Sequence, residues 1–128
     1  MRQREWWVAV IVGAVGCAQG PTTPSETPTP SAPSQPTVTI TSQGVSPKSV
    51  QIRVGERVLF VNDDSVAHEM SSDDHPAHLD CPAMNQVGHL EPGQARETGN
   101  FITARTCTYH DHIDAQNESL LGSIVIVE

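Results

Sequence analysis

All six histidines of this 128-residue chain lie between His68 and His112, so one stretch concentrates the imidazoles. Neutral imidazole is a common ligand for copper and zinc and titrates near neutrality, which makes metal binding the first chemistry to weigh. His110 and His112 stand two residues apart; on a regular strand they share a face, and on a loop they can converge. Three cysteines, Cys17, Cys81 and Cys107, add a second kind of soft donor. The acids Asp63-Asp64 and Asp73-Asp74 read as solvated turn and loop residues, or as an acidic rim facing a cationic partner. No Ser/His/Asp arrangement and no P-loop is present, so a metal-binding protein is favoured over an enzyme.

The rest of the chain must export and position these residues. Residues 1–16 begin with Arg2 and Arg4, followed by ten uncharged, largely apolar residues from Trp6 to Val15. That is the pattern of an export signal, too short to serve as a spanning helix. Val15-Gly16 followed by Cys17 resembles a bacterial lipoprotein signal, which implies lipidation at Cys17 and both tryptophans lost with the signal. Residues 17–36 then read as a lipidated N-terminus and linker, holding six of the ten prolines and one charged residue. With so little to bury, that segment is expected to be an extended tether.

Residues 37–128 carry the strand signals. Val38 and Ile40 alternate with Thr, Val50, Ile52 and Val54 alternate with polar residues, and 57–61 and 122–127 are apolar on both faces. No apolar set keeps helical spacing through three turns. The region 67–98 is polar and rich in His, Asp, Pro and Gly, a structured excursion rather than a plain connection. Charged residues make up 17% and the net charge is −8, which removes nucleic acid from the candidate partners.

The stretch ITSQGVSPKSVQIRVGERVLFVNDDSVAHEM resembles the first half of a cupredoxin, the plastocyanin/azurin type of copper protein, through Pro47, Val50, Ile52, Val54, Gly55, Val58, Phe60, Asn62 and His68. Leu90-Glu-Pro-Gly-Gln is similar to a turn of that family, and YHDHIDAQNESLLGSIVIVE is similar to its ligand hairpin, especially the YHCHI form of multicopper oxidases. The resemblance implies an all-β, cupredoxin-like Greek-key antiparallel β-sandwich with one mononuclear copper. His68 maps onto the first ligand, with His110 and His112 beside it. A blue-copper site also needs a thiolate. Cys107 supplies one if His110 follows it as the next ligand; if instead the YHCHI register holds, the thiolate position is Asp111. No axial Met is offered, since Leu120 and Leu121 occupy that neighbourhood; Glu69 and Met70 are candidates for a further contact.

Cysteine parity bears on that choice. With Cys17 lipidated in an exported protein, Cys81 and Cys107 remain as an even pair, and a disulfide between them is favoured over a Cys107 thiolate. The metal set is then His68, His110 and His112, with His75, His78 or Asp111 as additional donors and a pale rather than blue colour; copper is favoured and zinc is the alternative.

These readings lead to a membrane-tethered copper-binding protein, facing the periplasm or the cell exterior, that passes single electrons. The alternatives are capture and delivery of copper or zinc, which the surplus His75, His78 and His89 favour, and a metal-free interaction domain. The expected partner is a redox or metal-exchange protein, with a cationic docking face as one form of it; the membrane is met through the lipid, and a monomer is expected.

Overall fold

Thr and Val alternate through Thr37–Thr41, and the β-branched residues on one side have a face to bury; Val38 and Ile40 are both fully enclosed. The computed structural model describes residues 34–128, with Gly13, Gly16 and Gly20; the expected signal, the lipidation at Cys17 and most of the linker lie outside the described residues. Nine strands follow in order: β1 (Thr37–Thr41), β2 (Gly44–Ser46), β3 (Ser49–Arg53), β4 (Leu59–Asn62), β5 (His68–Ser72), β6 (Gly88–Leu90), β7 (Ala95–Glu97), β8 (Arg105–Asp111) and β9 (Gly122–Val127). The only helical elements among the described residues are short 3-10 turns at Met84–Gln86 and Glu118–Leu120. No helix among them is long and apolar enough to cross a membrane.

The strands form two sheets, ordered β2-β1-β4-β7 and β3-β9-β8-β5-β6. Most neighbours are antiparallel, as expected, but β1 runs parallel to β4 and β3 parallel to β9, so both sheets are mixed. The cause is topological. After the β1–β2 hairpin the chain crosses to the second sheet for β3 and returns for β4, which therefore enters beside β1 in the same direction. The segments expected to be strands at 37–41, 49–54, 57–61 and 122–127 are β1, β3, β4 and β9. The polar excursion from residue 67 contributes β5, β6 and β7.

Side chains from both sheets meet in one core that includes Ile40, Ile52, Phe60, Met70, Leu90, Tyr109 and Ile124. Phe60 of β4 and Tyr109 of β8 meet edge to face with centroids 5.2 Å apart, a contact worth about 0.5–1.5 kcal/mol beyond its burial. Burial pushes the Tyr109 phenol well above its ordinary range. Asn62, fully buried at the end of β4, donates from Nδ2 to the carbonyls of Val66 and Leu90 at 2.8 and 3.0 Å and accepts from the Asp64 N–H at 2.9 Å. One amide thus ties the end of β4 to the entry of β5 and to β6, fixing where His68 begins its strand.

The excursion after β5 is pinned to β8 by a disulfide between Cys81 and Cys107, whose Cα atoms are 5.9 Å apart. Cys107 therefore has no thiolate to offer a metal, and the reading that made it a copper ligand does not hold. The bond closes a loop of 26 residues, for which loop-closure entropy gives about 3 kcal/mol of stabilisation. Replacing both cysteines by Ala should lower the unfolding free energy by about that amount, read as a reduced urea midpoint with intact secondary structure.

Candidate metal centre

β5 and β8 pair antiparallel with Ser71 opposite His110 and Met70 opposite Asp111. Alternate residues of a strand face opposite sides, so Cys107, Tyr109 and Asp111 of β8 share the interior face while Thr108 and His110 take the other. His112 follows β8 directly, and its N–H donates to the Glu69 carbonyl at 2.7 Å, extending the pairing by one step. The i, i+2 spacing of His110 and His112 therefore places both on the face away from Tyr109.

The segment after β5 brings two more histidines to that face. The rings of His75 and His78 lie 5.5 and 5.0 Å from that of His110, and 5.1 and 4.8 Å from that of His112, centroid to centroid. One ring nitrogen from each of the four histidines lies within 4.8 Å of all the others. His110 is buried, His78 half-buried, and His75 and His112 are exposed, so the group forms a surface cluster with one enclosed corner.

Hydrogen bonds fix which nitrogens face inward. The Nδ1–H of His78 donates to the Ser72 carbonyl at 2.8 Å, which leaves its Nε2 as the lone-pair nitrogen, 2.9 Å from Nδ1 of His112. The carbonyl of His78 accepts from Ser72 Oγ at 3.1 Å and from Asn85 Nδ2 at 2.7 Å. These bonds hold His78 at φ 53°, a left-handed conformation that costs a non-glycine residue about 1–3 kcal/mol and persists only where its surroundings enforce it. In His110, Nδ1–H donates to Asp73 Oδ1 at 2.7 Å, whereas Nε2 is buried with no hydrogen-bond partner. An unpartnered buried nitrogen of this kind costs about 1–3 kcal/mol, a deficit that a bound metal ion removes. Four imidazoles, one with a stranded buried lone pair and two with the opposite nitrogen anchored, fit Cu(II) or Zn(II).

His68 is not part of this cluster. It sits on β5 facing the interior, its Nδ1 2.8 Å from Asp111 Oδ2 and its Nε2 3.2 Å from Asp64 Oδ2. Both nitrogens face carboxylates, so neither is turned toward the cluster. The second oxygen of Asp111 accepts the N–H groups of Glu69 and Ile113 at 2.9 and 3.0 Å. The expectation that His68 joins His110 and His112 at one metal is therefore corrected. The two-residue period of β8 places Asp111, not either histidine, on the side where His68 lies. Asp111 is likewise spent on hydrogen bonds, Met70 is core, and His89 pairs with Glu91 at 2.9 Å.

From the sequence, His75 and His78 are only additional donors beside His68, His110 and His112, and Asp73 is a solvated loop acid or part of an acidic rim. The available signal was the run Asp73-Asp-His-Pro-Ala-His78, with two histidines three apart beside a carboxylate and only three residues ahead of Cys81. A disulfide from Cys81 to β8 necessarily carries those histidines toward His110.

No protein-family model and no curated protein sequence matches the chain. Solved structures do resemble it in fold. A purple cupredoxin from Nitrosopumilus maritimus superposes with a TM-score of 0.56 at 21% identity, over 73% of this chain and all of that one. Amicyanin from Paracoccus versutus gives 0.58 at 17% identity, over 77% of this chain and 86% of its own. A Cu-containing nitrite reductase from Thermus scotoductus gives 0.59 at 22% identity over 73% of this chain, which spans only 22% of that enzyme. The β-sandwich is thus the cupredoxin fold, as the sequence resemblance implied.

Desolvation within the cluster, followed by the neighbouring His112, His110 and His78, holds the His75 imidazole below its ordinary value of 6.5. The folded, metal-free protein then binds fewer protons than the unfolded chain as pH falls through the ordinary histidine range. Stability should accordingly decline from above that range down toward the depressed value, with no further loss from this group below it. Urea midpoints of metal-free protein between pH 8 and pH 5 should show this decline, and His75→Ala should flatten it.

Proposed function

We propose that this is a copper-binding protein of cupredoxin fold that captures Cu(II) outside the cytoplasm and hands it on, through a single site built from His75, His78, His110 and His112. The observation that carries the reading is the Nε2 atom of His110, buried and unpartnered beside three other imidazoles. Copper(II) heads the affinity order for nitrogen donors of this type. Bound there, the ion supplies a site that can exchange ligands with a partner, or a one-electron couple. The chain's residues supply the rest: Ser72 and Asp73 orient two rings, Asn85 holds the His78 backbone, and the disulfide keeps both histidine pairs on one side of β8.

Exposure of His75 and His112 favours exchange, since an incoming donor can reach the site and replace one imidazole at a time. The second reading, single-electron transfer, is favoured by the fold, whose rigid sheets limit rearrangement around a bound ion. Under both readings the protein binds and passes on rather than catalyses. We place it at a membrane through a lipid on Cys17, with residues 18–36 as the tether. Its partner is a metal-exchange or redox protein, and the net charge of −8 suits a cationic docking face. We take the module to act as a monomer.

Cu(II) titration against a competing chelator should show one equivalent bound, with a pale colour and a paramagnetic-resonance spectrum carrying nitrogen hyperfine structure. Removing a ligand or its orienting partner typically costs about 10–100-fold in affinity, so His110→Ala should weaken binding at least that far. His68→Ala should instead lower stability and leave the stoichiometry at one. Absence of uptake, or uptake indifferent to all four histidines, defeats the proposal. Rapid, complete transfer to a chelator supports handover, whereas reversible reduction and reoxidation with the metal retained supports electron transfer.

A further inference from the structure

We infer that Asp73 is a positioning residue that makes the four-histidine site prefer a divalent over a monovalent metal; this rests on the copper reading above. Four neutral imidazoles bring no charge to a bound cation. Among the described residues, Asp73 provides the only carboxylate hydrogen-bonded to any of the four rings, at 2.7 Å from His110 Nδ1. Asp111, between His110 and His112 in sequence, is committed to His68 and to two backbone N–H groups on the interior side.

The bond has two consequences. By accepting the Nδ1 proton, Asp73 keeps the lone pair of His110 at Nε2, the buried atom that lacks any partner. It also places one negative charge directly behind the most enclosed ligand, whose side chain is 3% exposed. Coulomb attraction to that charge scales with the charge of the ion, so Cu(II) or Zn(II) gains twice what Cu(I) gains. Asp73 thus acts on both the orientation of a ligand and the charge selectivity of the site without touching the metal.

Two variants beside the wild type separate these effects: Asp73→Asn, which keeps an acceptor oxygen but loses the charge, and Asp73→Ala, which loses both. Cu(II) and Cu(I) affinities would be measured by chelator competition, and the His110 tautomer by imidazole nitrogen NMR on metal-free protein. The expected result is Nδ1–H at His110 in the wild type. Asp73→Asn should lose about 10–100-fold in Cu(II) affinity, with a much smaller change for Cu(I); Asp73→Ala should weaken both. Equal losses for the two ions in Asp73→Asn, or no loss, overturn the inference while leaving the copper reading intact. An Nε2–H tautomer at His110 in the metal-free wild type overturns it too, even if neither variant folds. Failure of the wild type to take up Cu(II) defeats the copper reading, and this inference falls with it.

Discussion

The two-residue period of β8 is the constraint on which the rest of the molecule depends. Along one strand it divides the residues into an interior series, Cys107, Tyr109 and Asp111, and an opposite series that ends in His110 and His112. The interior series joins the disulfide, the aromatic contact with Phe60 and the His68 network. The other series makes half of the histidine cluster. A slip of one residue in the β5–β8 register would exchange the two sets, burying imidazoles in the core and placing Tyr109 in solvent. The Tyr109–Phe60 contact, the disulfide and the bonds of Asp111 all oppose that slip, so the same features that hold the sandwich together also specify the site.

The cupredoxin resemblance leads to the right scaffold and to a different grouping of its histidines. His68, at the first-ligand position that the resemblance implies, and Asp111, at the thiolate position in the YHCHI register, bind each other. With Asp64 they form a buried polar network rather than a set of free donors. Donation from the Ser65 N–H, then contact with His68, holds the Asp64 carboxyl below its usual range. Donors able to hold a metal are gathered instead on the opposite side of β8, where the excursion after β5 supplies two histidines. Asp111 is a structural tie: its oxygens take the Glu69 and Ile113 N–H groups and the His68 ring, knitting the start of β5 to the end of β8.

Much of the architecture was legible from residue types. Alternation at Val38/Ile40 and at Val50/Ile52 marks strands because β-branched residues at every second position need one face to bury. The Cys81–Cys107 pairing followed from parity once Cys17 was assigned elsewhere. The short strands β2, β6 and β7 were not legible, since three residues are too few to show a period. The site was half legible. His110 and His112 are two apart on a strand, and local geometry alone makes them neighbours. His75 and His78 are brought toward them by the Cys81 disulfide and seated by a left-handed residue and the bonds of Ser72 and Asn85, which no periodicity reveals. His68 was misplaced because strand alternation was not carried through the Tyr109-His-Asp-His run, where it separates His110 from Asp111.

The cystine bridge also bears on how the histidines come together. It joins the excursion bearing residues 75 and 78 to the strand bearing residues 110 and 112, and such bonds form only where thiols can be oxidised. A newly made chain with both sulfurs reduced has its two histidine pairs connected only by hydrogen bonds and the exposed Arg105–Asp80 ion pair, so its donors are less preorganised for an ion. Oxidation of the two sulfurs thus sets how firmly the four imidazoles are held together, whatever ion they meet.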